Sequence, residues 1–435
     1  MTTMTGRSMK DKCLQQLIEE RDMLGMMVEA FTKTSTGVDL HYVPTKAFVD
    51  HHNEILRRYL SGEPFITSYF CCAPEIYTAM DLPWNTFLTP AFTGAIKPTF
   101  HADIDASGKM FTGMDLCTII RLAGYYVEED MVPPPTAVIA MIHPCDGINV
   151  VHQVMAKNEK WSKIPVFGAD PPYWEDERSY NYYADELKKM VEFLQKHTKI
   201  SLDMKRLREV IKESNKQITL WQDYNELRRA VPCPHGGAMG LEFFGEAMTV
   251  HTGMPMGTAW MRDVVADAES LVRQKKGAVP KERIRLFWFD ILSLGLTLEL
   301  FPWLEQEWGA VVAMEMFGYS PYTQIDTSTE DSMFRGMAVR ALHEVPMIRQ
   351  ARGVADLFLT DIERVVKDWK IDCVVYPGYM GHKDGSGSAG LMREKCREMG
   401  VPFLYIGMDL FDNRYTTLDQ LKDKFSKFFT SMGLG

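Results

Sequence analysis

From about position 65 the chain alternates between two rhythms. Short apolar runs are followed by longer stretches whose apolar residues recur at helical spacing, the pattern of strands feeding helices in βαβ units. The runs predict strands at Phe65–Phe70, Thr136–Ile142 and Ile164–Phe167, with a helix over Tyr182–Lys196 that puts Tyr183, Leu187, Val191 and Leu194 on one face. A second set predicts strands at Ile284–Phe289, Ala310–Met316, Cys373–Tyr376 and Pro402–Ile406. Between the sets, Met204, Leu207, Ile211, Ser214, Ile218, Trp221 and Leu227 keep helical spacing until Pro232-Cys-Pro-His-Gly-Gly breaks it. Residues 10–60 read as helical and polar-faced. The last helix opens on Thr417-Leu-Asp-Gln420, a capping box, and carries Leu418, Leu421, Phe425 and Phe428 on one side. The reading is α/β, with an N-terminal helical segment (1–60), a first α/β domain (61–200), a helical connector (201–278) and a second α/β domain (279–435). The two α/β halves could be structural duplicates, although no internal repeat is visible.

Composition narrows this picture. The 435 residues are 46% hydrophobic and 24% charged, ordinary for a soluble globular protein. A formal charge of −10 disfavours nucleic acid and anionic membranes as partners. The opening residues show no apolar signal region, and the most apolar stretch, Leu286 to Leu304, is broken by Asp290, Glu299 and Pro302. A cytoplasmic chain without membrane contact is the expectation. The 8 cysteines include no CxxC pair, and in that compartment they read as free thiols or metal ligands.

Four of them sit where a ligand could use them, because open parallel sheets bind ligands at the carboxyl ends of their strands. Cys71 and Cys72 end an apolar run before Pro74, which suits the start of a helix. Adjacent residues of an extended chain point to opposite sides, so at most one of the pair faces the cleft. Cys145, in His143-Pro144-Cys145-Asp146, follows a strand; a metal ligand and a small loop residue are the two readings. Cys117 has Arg121 one helical turn on, and reads equally as a ligand or a buried structural thiol. Cys373 begins its strand and so lies at the wrong end for a cleft; Cys13, Cys233 and Cys396 read as structural.

Other motifs carry less. Gly385-Ser-Gly-Ser-Ala-Gly390 fits GxGxxG, with Asp409 beyond it, but Pro377 to Asp384 separate the first glycine from the strand, against a dinucleotide fingerprint. Backbone N–H groups at Gly385 and Gly387, with Lys383, could instead meet a phosphate or thioester; a solvated turn is the alternative. No GxxxxGK(S/T) occurs, so ATP is not expected to bind this chain. His143 and His382 flank strand ends and are the acid–base candidates.

The runs Ser68-Tyr-Phe-Cys-Cys-Ala-Pro-Glu-Ile-Tyr-Thr-Ala-Met, Asp115-Leu-Cys117, Ile142-His-Pro-Cys145-Asp146 and Gly400-Val-Pro-Phe-Leu-Tyr-Ile-Gly-Met-Asp resemble the 2-hydroxyacyl-CoA dehydratase and benzoyl-CoA reductase family. The resemblance spans about Phe65 to the C-terminus. The segment Val375-Tyr-Pro-Gly-Tyr-Met-Gly-His-Lys-Asp-Gly-Ser-Gly-Ser is most similar to the larger core subunit of the ATP-dependent, class I reductases. The resemblance implies two flavodoxin-like parallel-sheet domains and a 4Fe–4S cluster held by cysteines between them. It also implies a homologous second core subunit, ATPase activator subunits that use the ATP, ferredoxin as electron source, and an acyl-CoA substrate. Cys117 and Cys145 match the family's two N-terminal cluster ligands. The dehydratases' third cysteine follows a strand of the second domain, where this chain has Gly381-His382-Lys383, so Cys71 or Cys72 becomes the expected third thiolate. A ring reductase also needs a proton donor, for which Tyr379 and His382 are placed by position. The implied function is two-electron reduction of benzoyl-CoA to cyclohexa-1,5-diene-1-carboxyl-CoA. The rivals are an (R)-2-hydroxyacyl-CoA dehydratase subunit, a non-catalytic partner subunit, and a nicotinamide-dependent oxidoreductase.

Overall fold

Two runs of residues buried on both faces, Ala137–Met141 and Ile284–Trp288, form the middles of two separate sheets. The computed structural model describes residues 11–34, 40–69, 72–86, 89, 100–110, 115–142, 145–237, 239–292, 294–346, 348–351 and 355–433. The first sheet comprises β1 (Ile66–Thr67), β2 (Trp84–Asn85), β3 (Ala137–Met141) and β4 (Val166–Ala169), in the order β2-β1-β3-β4. The second comprises β5 (Ile284–Trp288), β6 (Ala310–Glu315), β7 (Cys373–Tyr376) and β8 (Phe403–Tyr405), in the order β6-β5-β7-β8. All pairings are parallel, with Ile66 against Ala137 and Leu286 against Cys373. Both orders reproduce the flavodoxin-like 2-1-3-4 arrangement, whose chain reversal between the first and third strands opens a crevice at their carboxyl ends.

The strands β3 and β7 are unbroken apolar runs, and β5 and β6 are apolar except for the buried Arg285 and Glu315, which pair with Glu282 and Arg228, as strands buried on both faces require. The expected strand at Ile164–Phe167 lies two residues later, since Ile164 closes the 3₁₀ turn Trp161–Lys163. β2 has two residues and no apolar run of its own.

The N-terminal helices Lys12–Thr34 and Tyr42–Ser61 pack on each other through Leu14, Leu17, Ile55, Leu56 and Tyr59, a small core apart from the main one. Between the sheets run the helices Met204–Leu227 and Pro255–Arg273. Trp221 of the former stacks on Phe243, ring centroids 4.0 Å apart, and its Nε1 donates to Gly318 O at 3.0 Å. The halves are clamped by Arg340, whose Nη1 donates to Glu75 Oε1 and Ser214 Oγ, each at 2.8 Å. Glu75 follows β1, Ser214 sits on the connecting helix, and Arg340 precedes β7, so a single buried side chain joins three parts of the chain. Among the described residues no helix is long and apolar enough to cross a membrane.

Candidate functional site

Three helices begin at the junction of the two halves, and the residue before each is one that the sequence singles out. Cys117 is the N-cap of Thr118–Glu128, Cys145 of Asp146–Lys157, and His382 of Lys383–Glu398. None of the three side chains hydrogen-bonds its own helix as a cap, so each is left for another partner.

Small residues allow the approach. A Cβ on Gly147 would meet Leu116 Cδ1 at 3.1 Å and Ile120 at 3.4 Å, so a larger residue would push apart the helices that follow Cys117 and Cys145. A Cβ on Gly381 would stand 2.3 Å from Cys117 Cβ and 2.6 Å from its backbone N. Glycine at 381 therefore lets the loop after β7 lie on the Cys117 backbone, bringing His382 to the thiol.

One end of the His382 ring is held by a carboxylate. Nδ1 stands 3.1 Å and 3.3 Å from the two oxygens of Asp290, the second residue past β5. The Cys117 thiol lies near enough to the ring to favour its charged form. The Asp290 carboxylate also accepts Ile291 N–H at 2.7 Å, while the Tyr379 hydroxyl donates to Ile291 O at 2.9 Å. The Tyr379 ring meets His382 edge-on, centroids 5.5 Å apart. Burial works against the imidazolium, but the Asp290 charge and the Cys117 thiol outweigh it and hold the His382 pKa well above 6.5. Burial pushes the Cys145 thiol up; the backbone N–H groups of Ile148 and Gly147 pull it down, the Cys117 charge raises it and His382 lowers it.

Contacts across the halves hold the junction. Thr118 Oγ1 donates to Asp409 Oδ2 at 2.6 Å and accepts from Arg121 Nη2 at 2.9 Å, so Arg121 is engaged one turn below the thiol. Lys383 and Asp115, both exposed, pair at 2.5 Å.

The remaining expected residues fall elsewhere. Cys71 and His143 lie outside the described residues. Cys72 is wholly buried in the first half, where burial pushes its thiol up to about 12 against hydrogen bonds from Tyr183, Ser68 and the Tyr69 backbone. Tyr379 is buried and its hydroxyl committed to Ile291 O. Gly385 and Gly387 belong to the helix Lys383–Glu398, not to a loop. Gly385 stands in the first turn, where backbone N–H groups lack intrahelical partners, while Gly387 lies beyond that turn's first bond, Ser386 N–H to His382 O at 3.0 Å. Asp290 is the residue that sequence reasoning missed: it counted only as a break in an apolar stretch. A lone carboxylate directly after a buried strand was the available signal.

Two thiols and an imidazole form a soft donor set suited to iron. Three helix N-termini, with their partial positive charge, favour an anionic group among them. Among the described residues no three His, Cys, Asp or Glu side chains are close enough to hold a single metal ion. A cubane cluster presents its irons at separate corners and takes donors spaced more widely, so Cys117, Cys145 and His382 fit it by chemistry and setting.

The family described as 2-hydroxyglutaryl-CoA dehydratase, D-component, matches residues 70–432, a span that holds β2 to β8 and all three N-cap residues of the junction. No curated protein matches the chain.

Proposed function

Because the chain belongs to the 2-hydroxyglutaryl-CoA dehydratase D-component family, we propose that it is a core subunit of an ATP- and ferredoxin-dependent benzoyl-CoA reductase. Its reaction would be the two-electron reduction of benzoyl-CoA to cyclohexa-1,5-diene-1-carboxyl-CoA. The observation that carries the proposal is the loop after β7. It brings Gly381-His382-Lys383 against Cys117, in the segment most similar to the reductases' larger core subunit. A 4Fe–4S cluster, when bound, supplies one-electron transfer at low potential.

The chain's own residues would do the rest. Cys117 and Cys145 would hold the cluster, each at a helix N-terminus that offsets added negative charge. The buried Tyr379 and the close approach of Gly381 to Cys117 would help keep water from the reacting groups. Ring reduction consumes protons as well as electrons, and His143, Tyr379 and His382 are the groups from which a donor would come. The partner would be a homologous core subunit; ATP would be used by separate activator subunits.

A second reading, an (R)-2-hydroxyacyl-CoA dehydratase subunit, is favoured by the family's own description. The test is an anaerobic assay of the complex with activator, offering benzoyl-CoA and a 2-hydroxyacyl-CoA in turn. Reduction of benzoyl-CoA is expected; turnover of the 2-hydroxyacyl-CoA alone overturns the proposal. Iron and acid-labile sulfide should fall in Cys117→Ser and Cys145→Ser, and unchanged iron in both would remove the cluster assignment.

A further inference from the structure

We infer that His382 is itself an iron ligand, its Nε2 taking the place that a third thiolate would hold, and that Asp290 is the residue that positions it. The inference rests on the cluster reading above and adds to it one donor and its support.

The ring's two ends are already sorted. A carboxylate only accepts, so the Nδ1 that meets both Asp290 oxygens carries a proton and points away from the junction. That leaves Nε2 as the end whose lone pair can bind a metal, and the loop that carries the ring lies against the Cys117 backbone at Gly381. Binding there would replace any proton on Nε2 and leave Nδ1–H on Asp290. Metal-bound histidines characteristically donate their second N–H to a carboxylate, which fixes tautomer and ring orientation.

The support continues outward. Asp290 is tied to Ile291 N–H, Ile291 O to the Tyr379 hydroxyl, and the Tyr379 ring to the edge of His382. Three rotamers are thus locked to aim one imidazole, from a side chain only 25% exposed. Cys72, the described alternative, hydrogen-bonds with Tyr183 and Ser68 inside the first half. Topology agrees: His382 follows the third strand of its sheet as Cys145 follows the third strand of the other. An iron-bound imidazole has no Nε2 proton to give, so proton delivery would pass to another group.

The test uses the complex, purified anaerobically from cells fed ¹⁵N-histidine, with only this chain varied. Pulsed electron paramagnetic resonance of the reduced cluster should show a ¹⁵N coupling that disappears in His382→Cys. That variant should keep its iron and show a lower reduction potential, because a thiolate adds a negative charge where a neutral ring stood. His382→Ala should lose iron, with circular dichroism and a melting curve confirming that it is folded. Asp290→Asn should keep iron but shift the ¹⁵N coupling and the potential, which a merely structural role would not do. An iron-replete complex with no ¹⁵N coupling, and with His382→Ala unchanged in iron and potential, overturns the inference while leaving the cluster reading intact. Absence of iron and sulfide from the unmodified complex overturns the cluster reading itself.

Discussion

Arg340→Met removes a buried cation that joins the two halves and the connecting helix. Its Nη1 donates at 2.8 Å to both Glu75 and Ser214, and its Nη2 to Asn215 Oδ1 at 3.0 Å and Thr323 O at 3.2 Å. Its Nε stands 3.7 Å from Glu344 Oε2. Arg340, Glu75 and Glu344 side chains are 4%, 2% and 0% exposed. Methionine preserves most of the packing but strands two buried carboxylates. Stripping one partner from a buried pair costs about 3–5 kcal/mol. Glu75 keeps Ser214 as a donor and Glu344 keeps Thr323 N–H, which sets the loss towards the lower end. Burial already raises the Glu344 pKa, with Arg340 opposing; without Arg340 it rises further. A carboxylate whose folded pKa exceeds its unfolded one binds a proton on folding, so stability falls as pH rises through that window. The deficit should therefore be larger at pH 8 than at pH 6. Urea unfolding followed by circular dichroism measures it, and Glu75→Gln added to Arg340→Met should recover part of the loss through coupling of about 1–3 kcal/mol. A loss below about 1 kcal/mol, equal at both pH values, would refute the reasoning.

Two glycines of one helix should respond oppositely. A Cβ on Gly385 would stand 2.0 Å from the Tyr376 hydroxyl, so Gly385→Ala should cost about 1–3 kcal/mol in thermal unfolding. Gly387 has open space, and Gly387→Ala should gain roughly 0.5–1 kcal/mol. Burial raises the Glu305 carboxyl to about 7. Its burden on stability grows as pH climbs from the unfolded pKa towards that value. Glu305→Gln should therefore raise Tm more at pH 8 than at pH 5, with the gain vanishing below the unfolded carboxyl range. Under native anaerobic conditions at pH 8, iodoacetamide should leave Cys72 unmodified, as mass spectrometry of the digest would show; fast labelling would contradict its burial and raised pKa.

The strands that the sequence announces best are those covered on both sides, although the predicted Pro402–Ile406 also holds the partly exposed Phe403–Tyr405. Ala137–Met141, Ile284–Trp288, Ala310–Glu315 and Cys373–Tyr376 all coincide, within a residue or two, with apolar runs. Trp84–Asn85 escapes because a two-residue strand has no period to detect. The terminal capping box is legible because it is local: Thr417 N–H reaches Gln420 Oε1 at 2.9 Å. The GxGxxG segment misleads for the opposite reason. Glycine disfavours helix, yet Gly385 is needed where the helix presses on Tyr376. Cys117, Cys145 and His382 are each visible as helix or strand-end residues, but their meeting depends on how two distant halves pack. No local pattern encodes that, and Asp290 has meaning only once His382 is beside it.

Asp115 and Lys383, which pair across the junction, stand 268 positions apart in the chain. A ribosome delivers the first half long before the second, and domains generally fold as they emerge. The face around Cys117 and Cys145 must therefore wait, folded but incomplete, until the loop after β7 has been synthesised. Any group that needs donors from both halves can be inserted only after translation is nearly finished, into a chain whose first half has already been exposed to the cell with both thiols bare.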